Sequence, residues 1–435
     1  MRKTLLTLAL AALSHAAGAA DLTDIYRQAR QNDAIYASAQ AAYKAGMEKL
    51  PQGRALLLPS LNLSANARHV ESDTSVTPSK SYNTPSFTLA LSQPLFRRQN
   101  LETLEQAKLQ VQAVEAQLKL AEQDLLLRTA QAYFDVLLAR DNLATAEAQK
   151  TAIAEQLAQA KKSFEVGAAT IVDTHEAQAR YDATVAQVIA SSNDLDVKNR
   201  TLEKLIMAPA PHLASLVEHV VVSLPQPNDM DAWVGQARDN SLSVAVSRAQ
   251  AEIAQREVSR QRAGYLPTVD LTASYTDTRN TLSTTGLKID SNSAVVGVEL
   301  GWNLYQGGAT DSLVREAVAN KEKASFDLDN AVRQAELDTR QAFLGVVSGE
   351  AQVRALEQAV ASSETQLKST KLGQEVGVRT AVDVLNAQQS LYTAKRDLAS
   401  ARYTALISGL KLKAVSGGLA EADLQALNGL LREDR

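Results

Sequence analysis

The stretch EVGAATIVD, Glu165–Asp173, returns 210 residues later as EVGVRTAVD, Glu375–Asp383. Both copies interrupt patterns that otherwise read as uninterrupted helix. From Arg97 to Val166 there is neither Gly nor Pro, and a second such run extends from Ala169 to Met207. Around the second copy the matching runs are Ala309 to Leu372 and Val378 to Ser408, loosened only by Gly345 and Gly349 in the first of them. Every seventh residue from Leu104 is apolar: Val111, Leu118, Leu125, Ala132, Ala139, Ala146, Ile153 and Ala160. Such a repeat is a coiled-coil seam, and a helix of about 68 residues at 1.5 Å rise is roughly 100 Å long. Each copy is therefore expected at the tip of a long antiparallel helical hairpin. Gly167 and Gly377 supply the left-handed residue that ends the outward helix, and Thr170 with Asp173, like Thr380 with Asp383, reads as a capping box opening the return helix.

The repetition extends outward from the tips. QARQN at Gln28–Asn32 answers QARDN at Gln236–Asn240, and LPSLNLSA at Leu58–Ala65 answers LPTVDLTA at Leu266–Ala273, both at an offset of 208. Two copies of one unit, 21–230 and 231–435, account for the chain after its first twenty residues. Each unit is expected to hold a helix, a strand pair (59–96 and 267–305), a helical hairpin (97–207 and 309–411) and a further segment. The strand pairs show period-two alternation. Leu61, Leu63, Ala65 and Ala67 alternate with Asn62, Ser64, Asn66 and Arg68, and Phe87, Leu89 and Leu91 alternate with Ser86, Thr88 and Ala90. In the second unit Val269, Leu271, Ala273 and Tyr275, then Val296, Val298, Leu300 and Trp302, repeat the design. Strands of about ten residues with one apolar face are long enough to cross a bilayer when tilted. Polar loops are expected between them, at Glu71–Thr84 and Thr278–Asn292. Four such strands cannot close a barrel by themselves, so spanning strands require an oligomer, and strand count alone permits a dimer or a trimer.

Composition narrows the class. The apolar share is 45% but aromatics supply only 4%, which suits long helices packed through small side chains. Arg2 and Lys3, the apolar run Leu5–Leu13 and the small residues through Ala20 form the pattern of a secretory signal peptide, 1–20, with cleavage expected after Ala20. Without Arg2 and Lys3 there remain 43 basic and 49 acidic residues, a net charge of −6, so a nucleic-acid partner is not expected. There is no cysteine, hence no disulfide and no thiol for a lipid anchor. No later run is apolar enough for a spanning helix, which leaves β-strands as the membrane-crossing element.

The ordered series YLPTVDLTAS from Tyr265, NLYQGGATDSLV from Asn303, VGVRTAVDVLNAQQSLYTAKRDLASARY from Val376 and LAEADLQALNGLL from Leu419 resembles the TolC family of outer-membrane channel proteins over essentially the whole chain. The resemblance implies a mixed α/β membrane protein: a homotrimer sharing one twelve-strand outer-membrane β-barrel, continued by a long α-helical coiled-coil barrel in the periplasm. A small mixed equatorial collar is implied from about Pro209 to Asp231 and from Leu412 onward. The implied function is a passive exit duct for tripartite efflux pumps or type I secretion, opened at its periplasmic tip by a periplasmic adaptor (membrane fusion) protein and an inner-membrane ABC or RND-type transporter. Carried over by position, Asp173 and Asp383 match acidic residues lining the aperture, and Arg379 matches a basic residue tying neighbouring helices in the closed state. Val166, Gly167, Val376 and Gly377 fall at the turns expected to meet the adaptor. Two positions depart from the pattern: Gln374 stands where a tyrosine joins the closing network, and Asn386 where a second aspartate is found. Glu176 occupies the repeat position of Asn386 and is expected to replace that charge.

No cofactor is expected, and no enzyme. Of five histidines, His15 lies in the signal peptide, His69 closes a strand, His212 and His219 lie near prolines, and His175 sits between Asp173 and Glu176, where an exposed helical residue is the simpler reading than a metal ligand. Phosphate-cradling loops, a nucleophile elbow and a zinc-binding helix motif are lacking. Gly307 and Gly308 read as a hinge between strand and helix. The alternative function is a non-spanning periplasmic coiled-coil adaptor, which would carry one hairpin where this chain has two.

Overall fold

The computed structural model describes residues 19–75, 77–217, 220, 223–281 and 288–432. The core of the expected signal peptide and His219 lie outside these. In chain order the helices are α1 (Leu22–Asn32), α2 (Ala34–Met47), α3 (Lys49–Ala55), α4 (Arg98–Glu165), α5 (Ile171–Ile206), α6 (Met230–Asn240), α7 (Leu242–Arg262), α8 (Ala309–Glu375), α9 (Ala381–Val415) and α10 (Glu421–Asn428). The strands are β1 (Ser60–Thr74), β2 (Thr77–Phe96), β3 (Ser215–Leu216), β4 (Thr268–Thr281), β5 (Lys288–Gly301) and β6 (Leu431–Arg432). The contacts fall into two units, one from Ala41–Gln117 and Ser243–Ala331, the other from Met1–Gln40, Leu118–Leu242 and Val332–Arg435.

The first unit holds a four-stranded antiparallel sheet in the order β1-β2-β4-β5. Register explains its chemistry. Leu61 pairs with Leu91, Leu91 with Ala273 and Ala273 with Val296, and the row above runs Leu63, Leu89, Tyr275, Ala294. One face is therefore continuously apolar, and it is exposed, with Leu63, Val296 and Val298 each more than half accessible. The opposite face carries rows such as Ser64–Thr88–Thr276–Ser293. The expected polar loops are largely strand instead: β1 and β2 stay paired through Ser72–Lys80 and β4 and β5 through Thr281–Lys288. Backbone ladder bonds need no apolar side chain, and Ser and Thr suit extended backbone, so the hairpins continue beyond the alternating apolar segment. Only the first strand pair's turn is visible, at Ser75; Val76 and 282–287 lie outside the described residues. Conversely, Trp302 lies just past the end of β5. Next to the sheet, buried Glu102 is bonded by Arg98 and Arg256.

In the second unit the heptad seam is buried as expected, at Leu125, Ala132, Ala139, Ala146, Ile153 and Ala160. The two hairpins repeat even their buried polar groups. Thr129 donates to the Leu125 carbonyl and Thr339 to that of Ala335, each at 2.7 Å and each fully buried. The main core gathers Leu22, Ile25 and Tyr26 of α1, Tyr133, Phe134 and Leu137 of α4, Leu202 and Ile206 of α5, and Tyr403, Leu406 and Leu410 of α9. Each such side chain contributes ~1.5–3 kcal/mol by leaving water. Around it lies the collar, where β3 pairs with β6, α10 packs on α1, and Asp33 takes both guanidinium nitrogens of Arg128 at 2.9 and 3.0 Å. The helix ends differ from expectation in the second hairpin. Outward helix α8 runs through Gly373 to Glu375, and α9 through Gly409 to Val415. Burial of Ile407 and Leu410 on either side of Gly409, and the Arg379 stem folded against Gly373, offset the roughly 1 kcal/mol that an internal glycine costs.

Candidate functional site at the helical tips

The two tips are built alike from backbone outward. In the first, Ser163 O accepts the amides of Ala168 and Ala169, Phe164 O accepts that of Gly167, and Gly167 has φ of 71°. In the second, Gly373 O accepts Val378 and Arg379, Gln374 O accepts Gly377, and Gly377 has φ of 78°. Nothing stands within 4 Å of where a Cβ would be on either turn glycine, so backbone conformation, and not crowding, requires glycine there. Gly373 is the opposite case: a Cβ would lie 2.7 Å from Arg379 Cγ, so the absence of a side chain lets the Arg379 stem fold back over the helix end.

The return helices start as expected. Thr170 N donates to Asp173 Oδ2 at 2.9 Å and Asp173 N to Thr170 Oγ1 at 3.4 Å; Thr380 N donates to Asp383 Oδ2 at 2.9 Å and Asp383 N to Thr380 Oγ1 at 3.2 Å. The Thr380 amide and hydroxyl, with Arg379 adding a smaller effect, hold the Asp383 carboxyl below the usual carboxylate range. Capping thus favours the ionised form of this aspartate in the exposed tip. The turns themselves present apolar side chains to solvent: Val166, Val172, Val376 and Val378 are all largely exposed.

Glu176 and Asn386, equivalent by repeat, are brought together by a residue the sequence reading passed over. Arg180 Nη2 stands 3.9 Å from Glu176 Oε1 and donates to Asn386 Oδ1 at 3.2 Å. The signal was present as an i,i+4 acid–base pair on α5. The residues matched to a closing network do not meet within one chain: among the described residues no hydrogen bond or ion pair joins Gln374 or Arg379 to Asp173. His175 is exposed, and among the described residues no group of three or more His, Asp or Glu side chains is placed to hold a metal. A groove between α4, α8 and α9 is lined by paired groups, Arg402 with Glu357 at 2.8 Å, Lys395 with Glu364 at 2.9 Å and Tyr403 with Asp141 at 2.7 Å, which leaves no activated nucleophile. Among the described residues no helix is long and apolar enough to cross a membrane.

Residues 25–206 and 233–418 match the outer membrane efflux protein family, one match for each repeat. The chain is 34% identical to outer membrane protein TolC of Vibrio cholerae over 98% of its own length and 97% of the relative's. It is 35% identical to TolC of Escherichia coli over 98% and 88%. It is 33% identical to the alkaline protease secretion protein AprF of Pseudomonas aeruginosa over 93% and 86%. Among solved structures, the outer membrane protein VceC of Vibrio cholerae superposes with a TM-score of 0.79 at 21% identity, covering 91% of this chain and 96% of that one. The open state of the Neisseria gonorrhoeae MtrE channel superposes with 0.72 at 19%, covering 92% and 90%. The adaptor alternative is set aside by relatives that match over nearly their whole length as outer-membrane and secretion proteins. With paired strands, twin capped hairpins and a family match to both repeats, the chain belongs to the outer membrane efflux protein family, as an outer-membrane efflux or type I secretion channel and not an enzyme.

Proposed function

We propose that three copies of this chain close one twelve-strand barrel and one twelve-helix periplasmic tunnel, through which cargo leaves passively. The observation that carries this reading is the sheet: among the described residues β1 pairs only with β2 and β5 only with β4, leaving two open edges on a sheet whose exposed face is apolar. Open edges in lipid leave backbone groups unpaired at several kcal/mol each, so in the membrane β5 of one copy must meet β1 of the next. Three four-stranded sheets exceed the roughly eight strands that a closed barrel needs.

At the helical tips, Asp173, Glu176, Asn386 and Asp383 line the periplasmic aperture, and Gln374 and Arg379 hold it closed against neighbouring copies. Arg379 forms no ion pair within the chain among the described residues, which leaves its guanidinium for another copy. Val166, Gly167, Val376 and Gly377 form the turns on which a periplasmic adaptor docks, with an inner-membrane ABC or RND-type transporter supplying energy; the exposed valines fit such a contact. The two repeats, 21–230 and 231–435, follow a cleaved signal peptide, and the mature chain carries no lipid. Ala20 N donates to the His212 carbonyl and Ala20 O accepts from Ala214 N and the Tyr133 hydroxyl. Cleavage one residue before the site expected from the sequence, after Ala19 in the small-x-small sequence Ala17-Gly18-Ala19, retains those bonds, whereas cleavage after Ala20 removes them.

Cross-linking the membrane-inserted protein tests the assembly. The ladder should stop at three, with no inserted monomer; a limit at two, or a stable inserted monomer, overturns the trimer.

A further inference from the structure

On the reading that the tips form the channel mouth, we propose that Arg180 is a specificity-determining residue: it masks the charge of Glu176 and ties the return helix of the first hairpin to that of the second. Three observations place it there. First, Arg180 reaches both repeat-equivalent residues, Glu176 on its own helix at 3.9 Å and Asn386 on α9 at 3.2 Å. Second, the second hairpin has no cation at the matching place. Ser390 stands there at the 210 offset and bonds back to the Asn386 carbonyl at 3.0 Å. One arginine therefore serves both positions. Third, the two return helices are held together beside it by a small apolar cluster of Ile153, Leu157, Ala160, Ala177 and Leu385, with Tyr181 packed on its rim. Farther along α9 the same helix is tied to α4 by Gln149 to Gln389 at 2.8 Å and by the Tyr392 hydroxyl to the Ala148 carbonyl at 3.2 Å. The attachment of α9 to the first hairpin near the tip thus combines this apolar cluster with polar bonds, and among the described residues Arg180 makes the polar bond nearest the turn.

The electrostatic consequence follows from distance. A carboxylate and guanidinium about 4 Å apart act on an ion farther away as a dipole, whose field falls faster than that of a charge and is further screened within a Debye length of about 10 Å at 0.1 M salt. Glu176 then adds little to the mouth's potential, and the capped Asp173 and Asp383 carry it. Asn386 belongs to the same arrangement, since its amide oxygen accepts from Arg180 without adding the charge an aspartate would bring.

Single-channel recording of the purified trimer in planar bilayers, with a KCl gradient and hexamminecobalt(III) as a trivalent blocker, separates these roles. Arg180→Gln should raise the cation-to-anion permeability ratio about twofold and tighten block about tenfold, because three glutamates become unmasked. Glu176→Gln with Arg180→Gln should return both to wild-type values. Asn386→Ala keeps both charges but removes the acceptor of the tie, so it should lengthen openings. Unchanged selectivity in Arg180→Gln, or a double variant that keeps the heightened selectivity, overturns the masking. Asp173→Asn with Asp383→Asn tests the mouth reading separately: if selectivity ignores them, the aperture lies elsewhere. Amide hydrogen exchange over 171–180 and 381–390 then decides the tie on its own. Faster exchange in both Arg180→Gln and Asn386→Ala supports it, and wild-type rates overturn it.

Discussion

Lysine at Val298 should block insertion into the outer membrane, while lysine at Val295 should not. The two positions lie on one strand, three residues apart, and so on opposite faces. From Ala294, paired with the aromatic Tyr275, to Trp302 just beyond β5 is eight residues, or about 26 Å at 3.3 Å each and about 20 Å across the bilayer at a 40° tilt. Val298 stands midway, paired with Leu271 on the apolar face and 65% exposed in the single chain. A lysine there costs ~2–4 kcal/mol at the bilayer midplane, or ~6–12 kcal/mol over three copies, comparable with the whole stability of a typical domain. Val295 is also exposed, at 59%, but shares its face with Ser274 and Ala90, where a lysine head reaches water. Membrane fractionation followed by heat-dependent gel mobility reads the outcome. Insertion of Val298→Lys with failure of Val295→Lys would reverse the assignment of faces, and equal behaviour of the two would refute a lipid-facing sheet.

Other expectations follow from the collar, the turns and the N-terminus. Asp33→Asn should destabilise the collar by about 2 kcal/mol at neutral pH, because it removes an ionised acceptor of Arg128 and of the Tyr36 amide. Arg128 holds the Asp33 carboxyl below its usual range, so its contribution is complete above the unfolded carboxylate value near 4 and is lost as pH falls through the folded value; the gap between variant and wild type in thermal melts should close in that acid window. Gly417→Ala should cost at least about 2 kcal/mol, since φ is 79° and its Cβ would lie 2.1 Å from the Asn240 carbonyl oxygen, whereas Gly377→Ala, with open space around it, should cost only about 1 kcal/mol. Differential scanning calorimetry of the pair should rank them in that order, and equal melting temperatures would refute the clash. N-terminal sequencing of the exported protein should begin at Ala20; a start at Asp21 would show that the Ala20 backbone bonds are dispensable.

What the sequence alone determined is local or periodic. Gly167 and Gly377 at positive φ, the reciprocal Thr–Asp caps and the buried heptad from Leu125 to Ala160 depend on residues within a few turns of one another, so spacing was sufficient to read them. The alternation in the strand pairs was equally legible, because a pleat places every second side chain on one face whatever its partner. Tertiary structure decided what depends on distant residues. The Ser- and Thr-rich hairpin ends became strand because a partner strand lies opposite, α9 continued through Gly409 because Ile407 and Leu410 are buried in the core, and α8 continued through Gly373 where the Arg379 stem folds against it. Leu22, Ile25 and Tyr26 joined the collar core only through contacts with helices more than a hundred residues away. Arg180 bears the same lesson: its bond to Asn386 spans 206 residues, and whether a cation neutralises its own helix or joins two hairpins is settled by which side chains the fold brings within reach.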